Sequence, residues 1–152
     1  MNGIDLTLRT LHGGECRLAA ELLAAADRHR ADHEVRHVAT DLAHWSQEHA
    51  RRLAEAGAGQ EQAGEDTRAP GLAPDEDNPG LLLLRDLSAL HLAAVENSLH
   101  WEMLAQAAQA TRDAALLALA SECHPRTLRQ MRWTNTMIKN IAPQVLAVSP
   151  AG

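Results

Sequence analysis

The sequence predicts an all-α protein folded as a four-helix bundle. Its 152 residues contain no Phe, no Tyr and only three Trp, and they are rich in Ala and Leu. Strands favour β-branched and aromatic residues, so a core built from Ala and Leu indicates packed helices. Four long segments repeat an apolar residue every three or four positions, with one long break between the second and the third. We expect one domain that covers residues 1–152.

The first helix is predicted over residues 5–29. Gly13 and Gly14 weaken its first turns, because glycine has the most backbone freedom to lose in a helix. Its predicted buried face carries Leu11, Leu18, Leu22 and Ala25.

Residues 31–56 read as the second helix, with Asp32 as its N-cap. Val35, Val38, Leu42, Trp45, Leu53 and Ala56 fall along one stripe at about 100° per residue, and His49 lies in the middle of it. A titratable ring therefore points where a leucine is expected. The turn that precedes this helix is short, and short loops join antiparallel neighbours, so the first two helices are predicted to form an antiparallel hairpin.

Residues 57–80 read as a crossover loop, because they are rich in Pro and Gly and have no helical periodicity. This segment contains a single base, Arg68, and six acids: Glu61, Glu65, Asp66, Asp75, Glu76 and Asp77. A loop of this length within a compact domain is uncommon. If it crosses the whole bundle, the third helix runs parallel to the second.

The third and fourth helices are predicted to form a second antiparallel hairpin around a turn at residues 111–113. The third covers residues 81–110, with an inner face of Leu83, Leu84, Leu87, Leu90, Ala94, Val95, Leu99 and Met103. The fourth carries Leu116, Leu119, Ala120, Cys123, Thr127, Met131, Thr134, Ile138 and Ile141 inward. Pro125 is expected to cause a kink or a π-bulge, and Pro143 to end the helix before a tail at 144–152.

Charge and composition exclude several classes of function. The formal net charge is −6, and no basic patch interleaved with aromatic residues is present, so nucleic acid is not an expected partner. No apolar run is long enough to cross a bilayer, so no membrane partner is expected. Cys16 and Cys123 lack the spacing of a disulfide framework, and no signal peptide is evident, which together predict a cytoplasmic protein with free thiols.

Glu15 and His49 are the principal candidates for a functional site. In a hairpin that turns near residues 31 and 32, both side chains point inward at matching heights, so they should approach each other. A buried carboxylate needs a partner, and a metal ion or an imidazole would serve. If helix three runs parallel to helix two, Glu102 comes within about two turns of the His49 level, and His124 faces Glu102 across the second hairpin. We therefore predict a metal site formed by Glu15, Glu48, His49, Glu102 and His124, holding iron or manganese, or alternatively zinc.

In its layout, with two long helix pairs joined by a crossover, the chain resembles the ferritin-like family of four-helix bundles. That resemblance implies a di-iron or di-manganese centre, held by one Glu on each of two helices and a Glu-x-x-His pair on each of the other two. In this resemblance, Glu15 and Glu102 would correspond to the single carboxylates of helices one and three. Helix two offers Glu48 and His49 as direct neighbours, and helix four offers Glu122 and His124, so neither has the Glu-x-x-His spacing.

Two alternatives remain open from the sequence. The first is a metal-free bundle, in which Glu15 and His49 pair with each other and the protein binds a partner or associates with itself, as a dimer. The second concerns the outer flank of helix two, where His37, Asp41, His44 and Glu48 recur at i, i+4, i+7 and i+11. That flank is an ordinary solvated surface, a subunit interface or a second metal site.

Overall fold

The computed structural model describes residues 2–59 and 78–147, and within these ranges it contains four long α-helices and no strand. The predicted all-α class and the number of helices are confirmed. None of the described helices is long and apolar enough to cross a membrane. The helices are α1 (Gly3–Arg28), α2 (His33–Leu53), α3 (Pro79–Ala110) and α4 (Ala114–Leu146).

A polar side chain caps the first turn of each helix. In every case, an Asn or Asp oxygen accepts a hydrogen bond from the backbone N–H three residues later, which satisfies a donor that the helix itself leaves unpaired. Asp32 does so for Val35, as predicted. The other three caps are Asn2, Asn78 and Asp113.

The bounds of the first two helices differ from the predicted ones. Helix α1 begins at Gly3 and continues through Gly13 and Gly14 without a break. Helix α2 ends at Leu53 and is followed by a π-helical turn, Ala54–Ala58. Gly57, with φ 118°, lies inside this turn in a conformation that favours glycine. Ala56, predicted to be buried, is exposed.

The prolines of α4 disturb the helix less than predicted. No π-bulge forms at Pro125, and the helix continues beyond Pro143 to Leu146, so the predicted end at Pro143 is wrong. Proline removes only its own N–H, and the carbonyl of Pro143 still accepts a hydrogen bond from Ala147. Three residues of the predicted tail, 144–146, thus belong to α4, and residues 148–152 lie outside the described ranges.

The predicted crossover loop is shorter at both ends. Residues 57 and 58 belong to the π-helical turn, and residues 79 and 80 form the first turn of α3. Residues 60–77, which include the acidic cluster, lie outside the described ranges.

The apolar core forms three clusters along the bundle. The clusters are rich in Leu and Ala, as the composition predicts, and the Ala residues allow the helices to approach closely. The first contains Leu8, Leu11, Leu53, Trp101, Leu104, Leu119 and Cys123, among others. The second contains Leu18, Leu22, Leu42, Leu90 and six alanines, and the third contains Val35, Leu83, Leu87 and Met137.

The inner face of α3 was predicted correctly only in its first half. Leu83, Leu84, Leu87, Leu90 and Ala94 are buried, whereas Leu99 and Met103 are exposed. Beyond Ala94 the buried positions of α3 are Asn97, Trp101, Leu104 and Ala108. Leu99 and Met103 each follow a buried residue by two positions, about 200° around the helix, and therefore face away from the core.

Candidate functional site in the bundle core

A buried contact between Glu15 and His49 joins α1 to α2. Both side chains are 0% exposed, and a hydrogen bond connects Oε2 of Glu15 with Nδ1 of His49. Glu15 lies one turn from Leu11 and one from Leu18, and Leu11 and Leu18 belong to the first and second apolar clusters. The pair therefore forms a polar layer between two apolar ones.

Asn97 connects this pair to the third helix. Its side-chain Nδ2 donates a hydrogen bond of 2.8 Å to Oε1 of Glu15, and Asn97 is itself buried. Both carboxyl oxygens of Glu15 thus have a partner, one on α2 and one on α3. Because buried polar groups cost free energy unless they are hydrogen-bonded, these contacts specify how the three helices align.

Burial raises the pKa of the Glu15 carboxyl above its usual value, while the hydrogen bonds from His49 and Asn97 act in the opposite direction. Removing a carboxylate from water disfavours its ionised form. The Glu15 carboxyl therefore binds a proton more readily than an exposed carboxyl does. It can share that proton with the imidazole of His49, since one hydrogen bond joins the two groups.

The remaining side of the His49 ring faces a less polar environment. The ring of Trp101 packs edge-on against it, with centroids 5.7 Å apart and planes at 80°. Nε2 of His49 is buried and has no hydrogen-bond partner among the described residues. The same is true of Nε1 of Trp101, Oγ1 of Thr127 and Oε1 of Gln130.

Gln130 connects α4 to α2 near the same layer. Its Nε2 donates hydrogen bonds of 3.0 Å to the backbone oxygen of Leu42 and 2.8 Å to Oγ of Ser46. Gln130 and Ser46 are buried. All four helices therefore contribute polar side chains to the interior, at positions where an all-apolar core would have leucine or alanine.

The five predicted ligands fall into three groups. Glu15 and His49 come together in the core. Glu102 and His124 meet at the surface, where Oε2 of Glu102 lies 3.7 Å from Nδ1 of His124 and Glu102 is 59% exposed. Nε2 of His124 forms a hydrogen bond with Oγ of Ser98. Glu48 lies apart from both pairs, 41% exposed and bound to Arg51 of its own helix, because it is about 100° around α2 from His49.

The described residues contain no group of three or more His, Cys, Asp or Glu side chains arranged to hold a metal ion. Cys123, which the sequence placed near the predicted site, is buried among apolar residues. Burial raises the pKa of its thiol to about 11, although the nearby Arg52 lowers it in part. The thiol is therefore neutral near pH 7 and packs as a small apolar group.

Sequence reasoning missed Asn97 and Gln130. Asn97 lies seven residues after Leu90, and Gln130 lies seven residues after Cys123, so both continue a buried stripe by helical spacing. A polar residue in phase with such a stripe is a signal that could have found them. The hydrogen-bond partners of these two amides depend on neighbouring helices, which one helix alone does not reveal.

The two adjacent glycines of α1 should respond in opposite ways to alanine. A Cβ at Gly14 would overlap Oδ1 of Asn97, which is buried and bound to Glu15, whereas a Cβ at Gly13 meets nothing within 4 Å. We expect Gly14→Ala to lower the free energy of unfolding by about 1–3 kcal/mol. Gly13→Ala should raise it by about 0.5–1 kcal/mol, because alanine loses less backbone entropy in a helix.

Urea denaturation of the two variants measures this difference directly. Gly13→Ala is the matched control, since both variants add one methyl group to the same helix turn. Equal effects of the two substitutions would contradict the position of Asn97 against α1.

Comparison with protein-family models, curated proteins and solved structures gives no match. Inferences about function therefore depend on the geometry of this chain.

Proposed function

We propose that this protein is a self-associating helical bundle that forms a dimer through an exposed face of α3 and α4. The observation that carries the proposal is a row of large apolar side chains along α3: Leu92, Leu99 and Met103 are 60%, 59% and 51% exposed. Leu128 on α4 is also exposed, and Val95 is half-buried. We call these five residues the apolar outer face.

The spacing of this face is typical of helix packing. Leu92 and Leu99 are seven residues apart and Met103 follows four residues later, so the three side chains form a narrow seam along about three turns. Single exposed leucines are ordinary, but an aligned row on one helix marks a contact surface. Burial of such side chains contributes about 25 cal/mol for each Å² of apolar surface removed from water.

Charge favours a second copy of this chain as the occupant. Glu96 and Glu102 flank the seam on α3, whereas Arg129 and Arg132 lie beside Leu128 on α4. In a two-fold symmetric dimer, α3 of each protomer would pack against α4 of the other. The acids on α3 would then lie opposite the bases on α4 in two equivalent contacts.

We also infer a ferritin-like topology, with two antiparallel hairpins and with α2 and α3 parallel. Glu15 binds Asn97 and Arg28 binds Asp86, so residue numbers in α1 and α3 run in opposite directions. Short turns follow α1 and α3, which favours antiparallel packing within each pair. This arrangement needs a long connection between α2 and α3, consistent with the length of chain between them.

Sedimentation velocity of the full chain between 5 and 200 µM tests self-association. We expect the wild-type protein to be a dimer, and Leu99→Glu to weaken the dimer at least ~100-fold, because a charge would be buried in the contact. Leu6→Glu is the matched control, since Leu6 is 58% exposed on α1. A monomeric wild-type protein at 200 µM, or equal effects of the two substitutions, would refute the proposal.

One observation favours a second candidate function, the binding of iron, manganese or zinc in the core. Metal-binding histidines often donate their other ring N–H to a carboxylate, which orients the imidazole. His49 has this arrangement, with Nδ1 bound to Glu15 and a buried Nε2 that has no partner among the described residues. Nε2 of His49 would be the ligand atom, and Glu15 would position it.

Elemental analysis of protein purified without a His-tag tests this second candidate. It requires one equivalent of metal that disappears in His49→Ala and remains in His44→Ala, where the altered ring is exposed. If no metal remains bound after incubation with Fe²⁺, Mn²⁺ or Zn²⁺ and desalting, the core site is rejected.

A further inference from the structure

We propose that His33 and His37, in the first turns of α2, chelate a divalent late transition metal such as Zn²⁺. Their rings lie side by side, with centroids 6.4 Å apart and planes inclined by 12°. Rotation of these two exposed side chains would bring one nitrogen of each ring to a shared ion. Residues i and i+4 lie one above the other on a helix face, so both imidazoles point to the same side of α2. This site is separate from the core layer around His49 and from the apolar outer face.

The residue types fit the metal. Zn²⁺ is commonly bound by imidazole nitrogens at 2.0–2.1 Å, and Cu²⁺ and Ni²⁺ also favour imidazole. The run from His33 to His37 reads H-E-x-x-H, in which two histidines one turn apart bind zinc on one helix face. The flank of His37, Asp41, His44 and Glu48 shares His37 with this pair but does not contain His33.

Both rings are available for a ligand. His33 and His37 are exposed, and neither has a hydrogen bond or an ion pair with another residue in the described parts of the chain. A metal ion would therefore displace only water. The positive end of the helix dipole disfavours a cation at this position, but Asp32 and Glu34 bring two negative charges to the same turn.

Water completes the coordination shell in this proposal. Within residues 2–59 and 78–147 no third His, Cys, Asp or Glu joins the pair in a metal-binding group. Zinc enzymes with the H-E-x-x-H pattern use further protein ligands and an enclosed site, and His33 and His37 lie on an open surface. The proposal is therefore a binding site and includes no reaction.

Calorimetric titration of the full, untagged chain with ZnCl₂ tests the proposal. We expect each chain to bind one Zn²⁺ ion. The same titration with MgCl₂ should show no binding, because Mg²⁺ prefers oxygen ligands. His33→Gln and His37→Gln should each weaken Zn²⁺ binding at least ~10-fold. His44→Gln is the matched control, since His44 is exposed on the same face of α2 and should leave the affinity unchanged.

The outcomes separate this site from the others. Circular dichroism of each variant verifies that the helices are intact. The proposal is overturned if Zn²⁺ does not bind, if His44→Gln weakens binding as much as His33→Gln, or if binding persists in His33→Gln and His37→Gln. Loss of that persistent binding in His49→Ala would place the ion in the core.

Discussion

Replacing Glu15 with leucine will lower the free energy of unfolding by about 3–5 kcal/mol, the usual cost of removing one partner from a buried polar pair. The substitution leaves the ring of His49 and the amide of Asn97 without their acceptor in the core. Water cannot compensate, because Glu15 and His49 are fully buried. Urea denaturation monitored by circular dichroism measures the loss.

A double-mutant cycle separates the interaction from the simple change in volume. His49→Leu alone should also be strongly destabilising, since the carboxyl of Glu15 would lose a partner. In Glu15→Leu/His49→Leu both members of the pair become apolar, so the double variant should be more stable than the sum of the single losses predicts, by about 1–3 kcal/mol. Additive effects would show that the two side chains do not bind each other in solution.

Replacing Trp101 with alanine will lower the free energy of unfolding by about 3–5 kcal/mol. Trp101 is 0% exposed, it packs edge-on against His49, and it belongs to the apolar cluster next to the polar layer. Its removal leaves a large cavity between α3 and the first two helices.

Trp101→Phe is the matched control for this prediction. Nε1 of Trp101 has no hydrogen-bond partner among the described residues, so its loss leaves no acceptor unpaired. We expect the phenylalanine variant to lose about half or less of what the alanine variant loses, because an aromatic ring still fills most of the space. A phenylalanine variant as unstable as the alanine variant would indicate that the indole N–H binds a group in the core, and would contradict this account.

The helices were predictable because their signals are local. Asp32 caps α2, and Leu11, Leu18 and Leu22 recur at helical spacing, so a single segment of sequence is sufficient to identify each of these features. The prediction that Pro143 ends α4 failed because proline removes one donor and leaves its own carbonyl free to accept a hydrogen bond from Ala147.

The second half of α3 was harder to predict, because two faces of this helix are apolar. Leu99 and Met103 follow Val95 at four-residue spacing and were assigned to the core face with it, yet Asn97 and Trp101 occupy the buried positions. Apolar content alone cannot separate a core face from an exposed one. The packing of α3 against α1 and α4 determines which face is inside.

The candidate site was predictable only in part, for the same reason. Glu15 and His49 could be paired from a two-helix hairpin, in which the turn fixes their relative heights. Glu48 was assigned with His49 because the two are adjacent in sequence, but adjacent helical residues point about 100° apart, and Glu48 binds Arg51 at the surface. The positions of Glu102 and His124 depended on a second hairpin. No local sequence pattern specifies how that hairpin aligns with the first.

The polar layer depends on the imidazole of His49, which is enclosed in the core and bound to Glu15. Nuclear magnetic resonance of ¹⁵N-labelled histidine rings, with His49 assigned from its absence in His49→Gln, tests this directly. We expect one ring N–H signal that exchanges slowly with solvent, disappears in His49→Gln and shifts in Glu15→Gln. If the His49 ring exchanges with water as fast as the exposed rings of His37 and His44, or does not respond to Glu15→Gln, the account is wrong.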